Sequence, residues 1–326
     1  PSLRYWTEMS TGYPLFNEHR TDGRKSYDFH KEITYGSTEP SDHALFYGID
    51  EFAEDEANGD LKGKYSPLQS AVFLSRFADE AEQGLSAARA AGGNDADPEF
   101  LALQADVKLL VHMARYHVWK IRSAYALAKY RQTGDPSRLS DALSLLDQAA
   151  THWRSLSELG LSVYHHDLEF SSAGTQTRHG TWRDLYPEIE ADRRTLADML
   201  AQAGIGSADT IHHDYTPAPL GDVPVSVVYE FPDFHMASTP LTVTVDTGAL
   251  TVPGTAPFVL HYRHVNQLEG LFRTIEMERI ESGWTATIPA DYLVPEWDLM
   301  LYVTWQDAAG SCLMLPGIYH PQYPYP

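Results

Sequence analysis

Basic residues are scarce in this chain. Its 326 residues hold 24 Lys and Arg against 45 Asp and Glu, a formal charge of −21 with His neutral. A field of that sign repels phosphate backbones and anionic lipid, so no nucleic acid and no membrane surface is expected as a partner. Cysteine is scarcer still. Cys312 stands alone, which excludes an intrachain disulfide and a multi-cysteine zinc site while leaving the compartment open. Long apolar runs are missing too: no stretch approaches the roughly 18 consecutive apolar residues of a membrane-spanning helix. Nothing matches a GxxxxGK(S/T) phosphate loop, a strand-linked GxGxxG or a GxSxG nucleophile elbow. The opening Pro1-Ser2-Leu3-Arg4 has neither a start methionine nor a basic-then-apolar signal. The expectation is a piece of a longer polypeptide, one that can lack the chemistry-bearing part.

The rest of the composition is ordinary for a folded chain: 43 % apolar and 21 % charged residues, with a length that suggests two domains at about 150 residues each. Composition changes twice. Residues 1–65 are rich in Tyr, His, Gly, Ser and Asp without a sustained period of 3.6 or 2, and read as an irregular arm whose acidic run from Asp50 to Asp60 is a solvated face. Residues 66–215 read as an antiparallel helical bundle. Ser66 suits an N-cap and Pro67 the first helical position, ahead of Leu68, Ala71, Val72, Phe77 and Ala78, with Gly92-Gly93 ending the helix. A longer helix runs from Asp97 or Pro98 towards Gln132, its apolar face including Leu103, Val107, Leu110, Val111, Ala114, Val118 and Ile121. Asp135-Pro136 starts a third, which carries Leu139, Ala142, Leu146, Ala149 and Trp153 and is expected to stop near Gly160. A fourth spans Tyr186 to Ala203.

After Gly204 the pattern becomes alternation. Val223, Val225 and Val227, then 241–245, 259–263, 274–279, 284–288 and 299–304, read as strands, with Pro224 weakening the first. Residues 216–326 are therefore expected to form a β-sandwich of immunoglobulin or fibronectin type, giving an α+β multidomain chain. Trp284 opens one alternating strand and is expected in its core, and Cys312 beside Leu313 and Met314 reads as a small buried hydrophobe.

Two His-His-Asp triplets, His165-His166-Asp167 and His212-His213-Asp214, flank the fourth helix. Imidazole and carboxylate suit transition metals, so His165, Asp167, His212 and Asp214 are the candidate metal ligands. Adjacent residues on extended chain point to opposite sides, which limits each triplet to two convergent ligands; loop polarity is the plainer explanation, and no cofactor is expected. The stretch from Tyr164 to Tyr186 gathers Tyr164, Arg178, His179, Trp182 and Arg183 into one loop region. A pyranose needs a planar aromatic for its C–H face and fixed polar groups for its hydroxyls, and loops on a rigid scaffold supply both. Trp182, Arg178, His179 and Tyr164 are therefore the candidate sugar contacts, the alternative being that Trp182 and Tyr186 seal the base of the bundle. No carboxylate pair can be chosen among 45 acids.

The stretches Gly63-Lys64-Tyr65-Ser66-Pro67-Leu68, Ala114-Arg115-Tyr116-His117, Lys120-Ile121-Arg122-Ser123-Ala124 and Thr133-Gly134-Asp135 resemble the helical region that follows the catalytic barrel in large bacterial carbohydrate-active proteins of glycoside-hydrolase type. Leu260-His261-Tyr262-Arg263, Glu276-Met277-Glu278 and the run from Trp284 to Tyr292 resemble the Ig-like accessory module at the C-terminal end of such enzymes. A barrel of about 250 residues does not fit before Ser66. The resemblance thus implies an accessory, non-catalytic portion of a polysaccharide-degrading enzyme, partnered by a polysaccharide or oligosaccharide and by an N-terminal catalytic domain or partner chain, in an extracellular or periplasmic setting. Three alternatives stay open: a self-contained polysaccharide lyase using Tyr and His, a protein–protein interaction module, and a metal-dependent hydrolase using the two triplets.

Overall fold

The structure is a computed structural model that describes residues 46–94, 96–169, 179–204, 210–217, 228–230, 234–246, 257–266, 271–306 and 312–315. It shows helices followed by sheets, and the chain divides into two compact units. Among the described residues the first unit comprises Tyr47–Asp60 and Ser66–Thr216, and the second takes Phe46, Leu61–Tyr65 and the chain from Pro217 onwards.

The helical unit holds α1 (Ile49–Asn58), α2 (Pro67–Ala90), α3 (Pro98–Thr133), α4 (Pro136–Val163) and α5 (Tyr186–Gln202), with two short strands, β1 (Leu168–Glu169) and β2 (His179–Gly180), between α4 and α5. The sequence signals at the helix starts are realised. Ser66 accepts from the Gln69 N–H at 3.1 Å while Gln69 accepts from the Ser66 N–H at 3.0 Å, a reciprocal cap. Asp97 and Asp135 cap α3 and α4 in the same position before proline. Along α4 the fully buried residues step as Leu139, Ala142, Leu146, Ala149, Trp153 and Leu156. That 3-4-3-4 spacing is one helical stripe, and packing it against α3 and α5 supplies the unit's core.

Three expectations change. The stretch read as irregular carries α1, in which Ile49, Phe52 and Ala53 are buried and Glu51, Glu54 and Glu56 face outwards. Its apolar face is too short to show a period among so many acids; the Glu51 carboxylate accepting from the Gly48 N–H at 3.3 Å and a left-handed Gly59 (φ 67°) fix its ends. Gly160 does not stop α4, which runs on to Val163. Phe77 of α2 and Leu103 and Leu110 of α3, placed on core faces by periodicity, are exposed; the buried stripe at the start of α3 runs instead through Gln104, Ala105, Leu109 and Met113.

The second unit contains β3 (Val228–Glu230), β4 (Leu241–Asp246), β5 (Val259–His264), β6 (Arg273–Glu276), β7 (Glu278–Ile280), β8 (Gly283–Ile288), β9 (Leu299–Gln306) and β10 (Cys312–Leu315). They form two four-stranded antiparallel sheets, in the orders β10-β9-β5-β6 and β3-β4-β8-β7. Alternate residues of both sheets, Val243, Val245, Leu260, Ile288, Val303 and Trp305 among them, form one cluster, with Trp284 packed against it. The expected strand over 274–279 splits at Met277. Its side chain is buried in the shared cluster and its N–H donates to the Phe258 carbonyl at 2.7 Å, where the chain passes from one sheet to the other. The strand expected at Val223, Val225 and Val227 lies outside the described residues, as does the side chain of Cys312.

The face of the β9–β5 pair turned away from that cluster is also closed. Tyr302 and Thr304 are buried there; His261 stacks on Tyr302 at 4.4 Å and bonds Thr304 at 2.8 Å, and Phe272 meets Tyr302 edge-on. Leu61–Tyr65 supplies part of this cover: a Cβ at Gly63 (φ 71°) would stand 3.7 Å from Thr304 Oγ1. Burial lowers the His261 pKa to about 4, so its imidazole is neutral near pH 7. No described helix is long and apolar enough to cross a membrane.

Candidate functional site

The loop region singled out by composition is drawn together at the C-terminal end of α4. The short strands β1 and β2 pair antiparallel, which sets Glu169 opposite His179. Asp167 and His179 face each other at 3.3 Å on the exposed side. Gly180 (φ 138°) then turns the chain into a 3-10 turn, Trp182–Leu185; a Cβ there would stand 2.7 Å from Asp184 Oδ2. The Asp184 carboxylate accepts from the Thr181 N–H at 2.7 Å and from its hydroxyl at 2.9 Å, which fixes the turn.

This turn delivers Trp182 to Gly160. Gly160 is the next step of the α4 stripe after Leu156, and a Cβ on it would lie 2.6 Å from the Trp182 ring. Glycine is required there because the indole occupies the space a side chain would take. The Trp153 indole N–H donates to the Trp182 carbonyl at 2.9 Å, and Tyr164 meets the Trp182 ring edge-on at 6.0 Å. The Tyr164 hydroxyl donates to Asp106; that bond, with burial adding to it, pushes its pKa up to about 12. Trp182 and Tyr164 are both half-buried, a fixed aromatic pair, and the exposed Asp167 and His179 lie three residues along the chain from Tyr164 and Trp182 respectively, at the paired strands β1 and β2. Of the expected sugar contacts, Tyr164, His179 and Trp182 therefore fall in one region, and Arg178 lies outside the described residues.

The second triplet has a different fate. Asp141, in the interior of α4, is completely buried and accepts four hydrogen bonds. The His212 N–H reaches Oδ1 at 2.7 Å and His212 Nδ1 reaches it at 3.0 Å; His213 Nδ1 reaches Oδ2 at 2.6 Å and the Tyr215 hydroxyl at 2.7 Å. Burial alone would raise the Asp141 pKa, but these donors outweigh it and hold the carboxyl below its usual range. All of its acceptor capacity is in use, so Asp141 is an anchor for the segment 212–215 rather than a free acid or base. Arg138 donates to the Tyr215 hydroxyl at 3.3 Å, and Tyr125 donates to Glu56 of α1 at 2.5 Å. Burial and these carboxylates drive the Tyr125 and Tyr215 pKa values upwards, the wrong direction for a proton-abstracting tyrosine.

Sequence reasoning missed Asp141. The available signal was an acid at the edge of an apolar helical stripe, which demands compensation wherever it is buried. Among the described residues no group of three or more His, Cys, Asp or Glu is placed to hold a metal ion. His165 and Asp167 lie beside β1, whereas His212 is bonded to Asp141 and the Asp214 carboxylate accepts from the Thr216 N–H at 2.8 Å.

No family model matches the chain, and no curated protein matches it. Among solved structures it is similar to a GH138 enzyme targeting pectin rhamnogalacturonan II, with a TM-score of 0.41 and 16 % identity over 49 % of this chain. The chain spans 24 % of that enzyme's length. The likeness is partial and coarse, and it carries no weight for activity.

Proposed function

We propose that this chain is an accessory, non-catalytic portion of a polysaccharide-degrading glycoside hydrolase, and that it contacts glycan through Trp182 and its neighbours. The observation that carries the reading is the seating of Trp182 on Gly160 with Tyr164 edge-on and the Asp167–His179 pair at the adjoining hairpin. A half-buried indole seated on Gly160 with Tyr164 across its edge offers a rigid apolar surface to a sugar ring, and the polar groups of the adjoining hairpin would meet the hydroxyls. Arg178, next to His179 in sequence, belongs to the same proposed contact. The helical unit would buttress an N-terminal catalytic domain. The β unit would be an immunoglobulin- or fibronectin-like sandwich serving as spacer, and the division into an arm to residue 65, a bundle to 215 and a β domain beyond is part of this proposal. Polymeric glycans are met outside the cytoplasm, which puts the protein in an extracellular or periplasmic setting.

The test is product release from neutral and uronic-acid polysaccharides by the purified 326-residue chain, read by mass spectrometry. No released oligosaccharide is expected. Hydrolytic products would overturn the non-catalytic reading, and products lighter by one water would replace it with the lyase alternative.

A further inference from the structure

On the surface between α3 and α4, His112 and His152 face each other through Nδ1 atoms 3.5 Å apart. Their rings are 5.8 Å apart between centroids and inclined by 40°. Both are half-buried and come from positions 40 residues apart, so no sequence motif announces them. We propose that this pair is a binding site for a divalent transition-metal ion of the zinc class, in which His112 Nδ1 and His152 Nδ1 are the two protein ligands and water completes the shell.

Zinc–imidazole bonds of about 2.0–2.1 Å in a tetrahedral shell place two nitrogens roughly 3.3–3.4 Å apart. The observed separation is already close to that value without moving either helix. The nitrogens now point at each other, so binding needs each ring to turn by about 30°, within the broad rotation open to a histidine ring. In the unliganded pair one Nδ1 carries the shared proton. On binding, that ring's proton moves to its Nε2, both Nδ1 lone pairs face the ion, and no net proton is released from a neutral pair.

The surroundings favour a neutral, ligating pair. Burial lowers both histidine pKa values, and Arg115 and Lys108 act on His112 in the same direction. Of the two cations near the pair, Arg115 donates to Glu82 at 3.0 and 2.6 Å and to Asp79 at 3.0 Å, so its positive charge is largely neutralised, and Lys108 is held on the Gln104 amide oxygen at 3.1 Å. The chain's net charge of −21 draws divalent cations towards it. This site is independent of the proposed glycan contact.

The test is zinc binding to the full chain at about pH 7.5, where neutral imidazole ligates, with zinc alone as probe. Calorimetry is expected to show one equivalent that weakens at least tenfold in His112→Gln and in His152→Gln but not in a His165→Gln, His166→Gln control. Zinc is expected to raise the melting temperature of the wild type and of the control, and to leave that of the two pair variants unmoved. Nitrogen-15 spectra of the wild-type histidines supply a readout that needs no variant: two Nδ1 resonances should shift together with one equivalent. Absence of that one-equivalent binding, its survival in both pair variants, or shifts confined to other histidines would overturn the assignment and leave a proton-sharing pair only.

Discussion

Replacing Asp141 by Ala is expected to destabilise the helical unit by about 3–5 kcal/mol, the scale on which removing one partner of a buried charged network acts. The loss has two parts. The substitution empties a buried site, and it strands the His212 N–H and the Tyr215 hydroxyl that converge there, while the partly exposed His212 and His213 imidazoles lose their shared acceptor. Chemical denaturation followed by far-ultraviolet circular dichroism measures the first effect. Protease sensitivity of the segment around His212 measures the second. The pH dependence has a definite sign. The folded state holds the Asp141 carboxyl below its ordinary 3.8, so its stabilisation is complete above that value and is lost as the pH falls through the folded pKa. The wild type should therefore weaken below about pH 4, and Asp141→Ala should show a shallower acid limb. An unchanged midpoint in the variant would mean that the four-bond cluster does not hold 212–215 in place.

The second large effect concerns the cover over β9. A fragment beginning at residue 217 contains all the strands β3 to β10 but lacks Phe46 and Leu61–Tyr65, which belong to the same compact unit. Phe46 and Tyr65 are joined by a parallel bridge and their rings meet at 5.5 Å, inclined by 36°, and Gly63 approaches Thr304. Removing two aromatic side chains that contribute about 1.5–3 kcal/mol each is expected to cost the fragment roughly 3–6 kcal/mol, and to open the buried face carrying Tyr302, Thr304 and His261. The fragment should melt well below the β unit of the intact chain, or fail to fold. Its His261 should titrate near the ordinary 6.5 rather than at about 4. A fragment with the intact unit's melting temperature and a still-neutral His261 would show that the cover is dispensable.

That dependence explains why Ser66 is legible as a helix start and as the edge of a segment, while the membership of residues 61–65 in the β unit is not. The Ser66-Pro67 cap and the 3.6-residue stripe are local, so the starts of α2, α3 and α4 could be read from residues close in sequence. The assignment of Leu61–Tyr65 to the β unit rests on contacts with strands far along the chain, such as that of Gly63 with Thr304, which no local pattern carries. Alternation gave β4, β5, β8 and β9 for the same local reason, and Met277 broke the 274–279 strand because it serves the core shared by both sheets.

The site shows the same division. The aromatic density of their loop singles out Trp182 and Tyr164, whereas Gly160 reads from the sequence as a helix stop. It is instead the seat of the Trp182 ring, a role visible only once the ring is in place. His212 and His213 drew attention as possible ligands, while the buried carboxylate that binds both, Asp141, lies 71 residues from His212 and was passed over. The His112–His152 pair, split between two helices, was beyond any reading of neighbours in sequence.

The most direct test of a glycan contact is the retardation of the purified chain in gels containing neutral or uronic-acid polysaccharides, comparing the wild type with Trp182→Ala. The wild type should be slowed by at least one polysaccharide and the variant should bind it at least tenfold more weakly, a difference of about 1.4 kcal/mol or more, while keeping the wild-type helical spectrum. Equal retardation of the two proteins, or no retardation of the wild type by any polysaccharide, would contradict a glycan contact at Trp182.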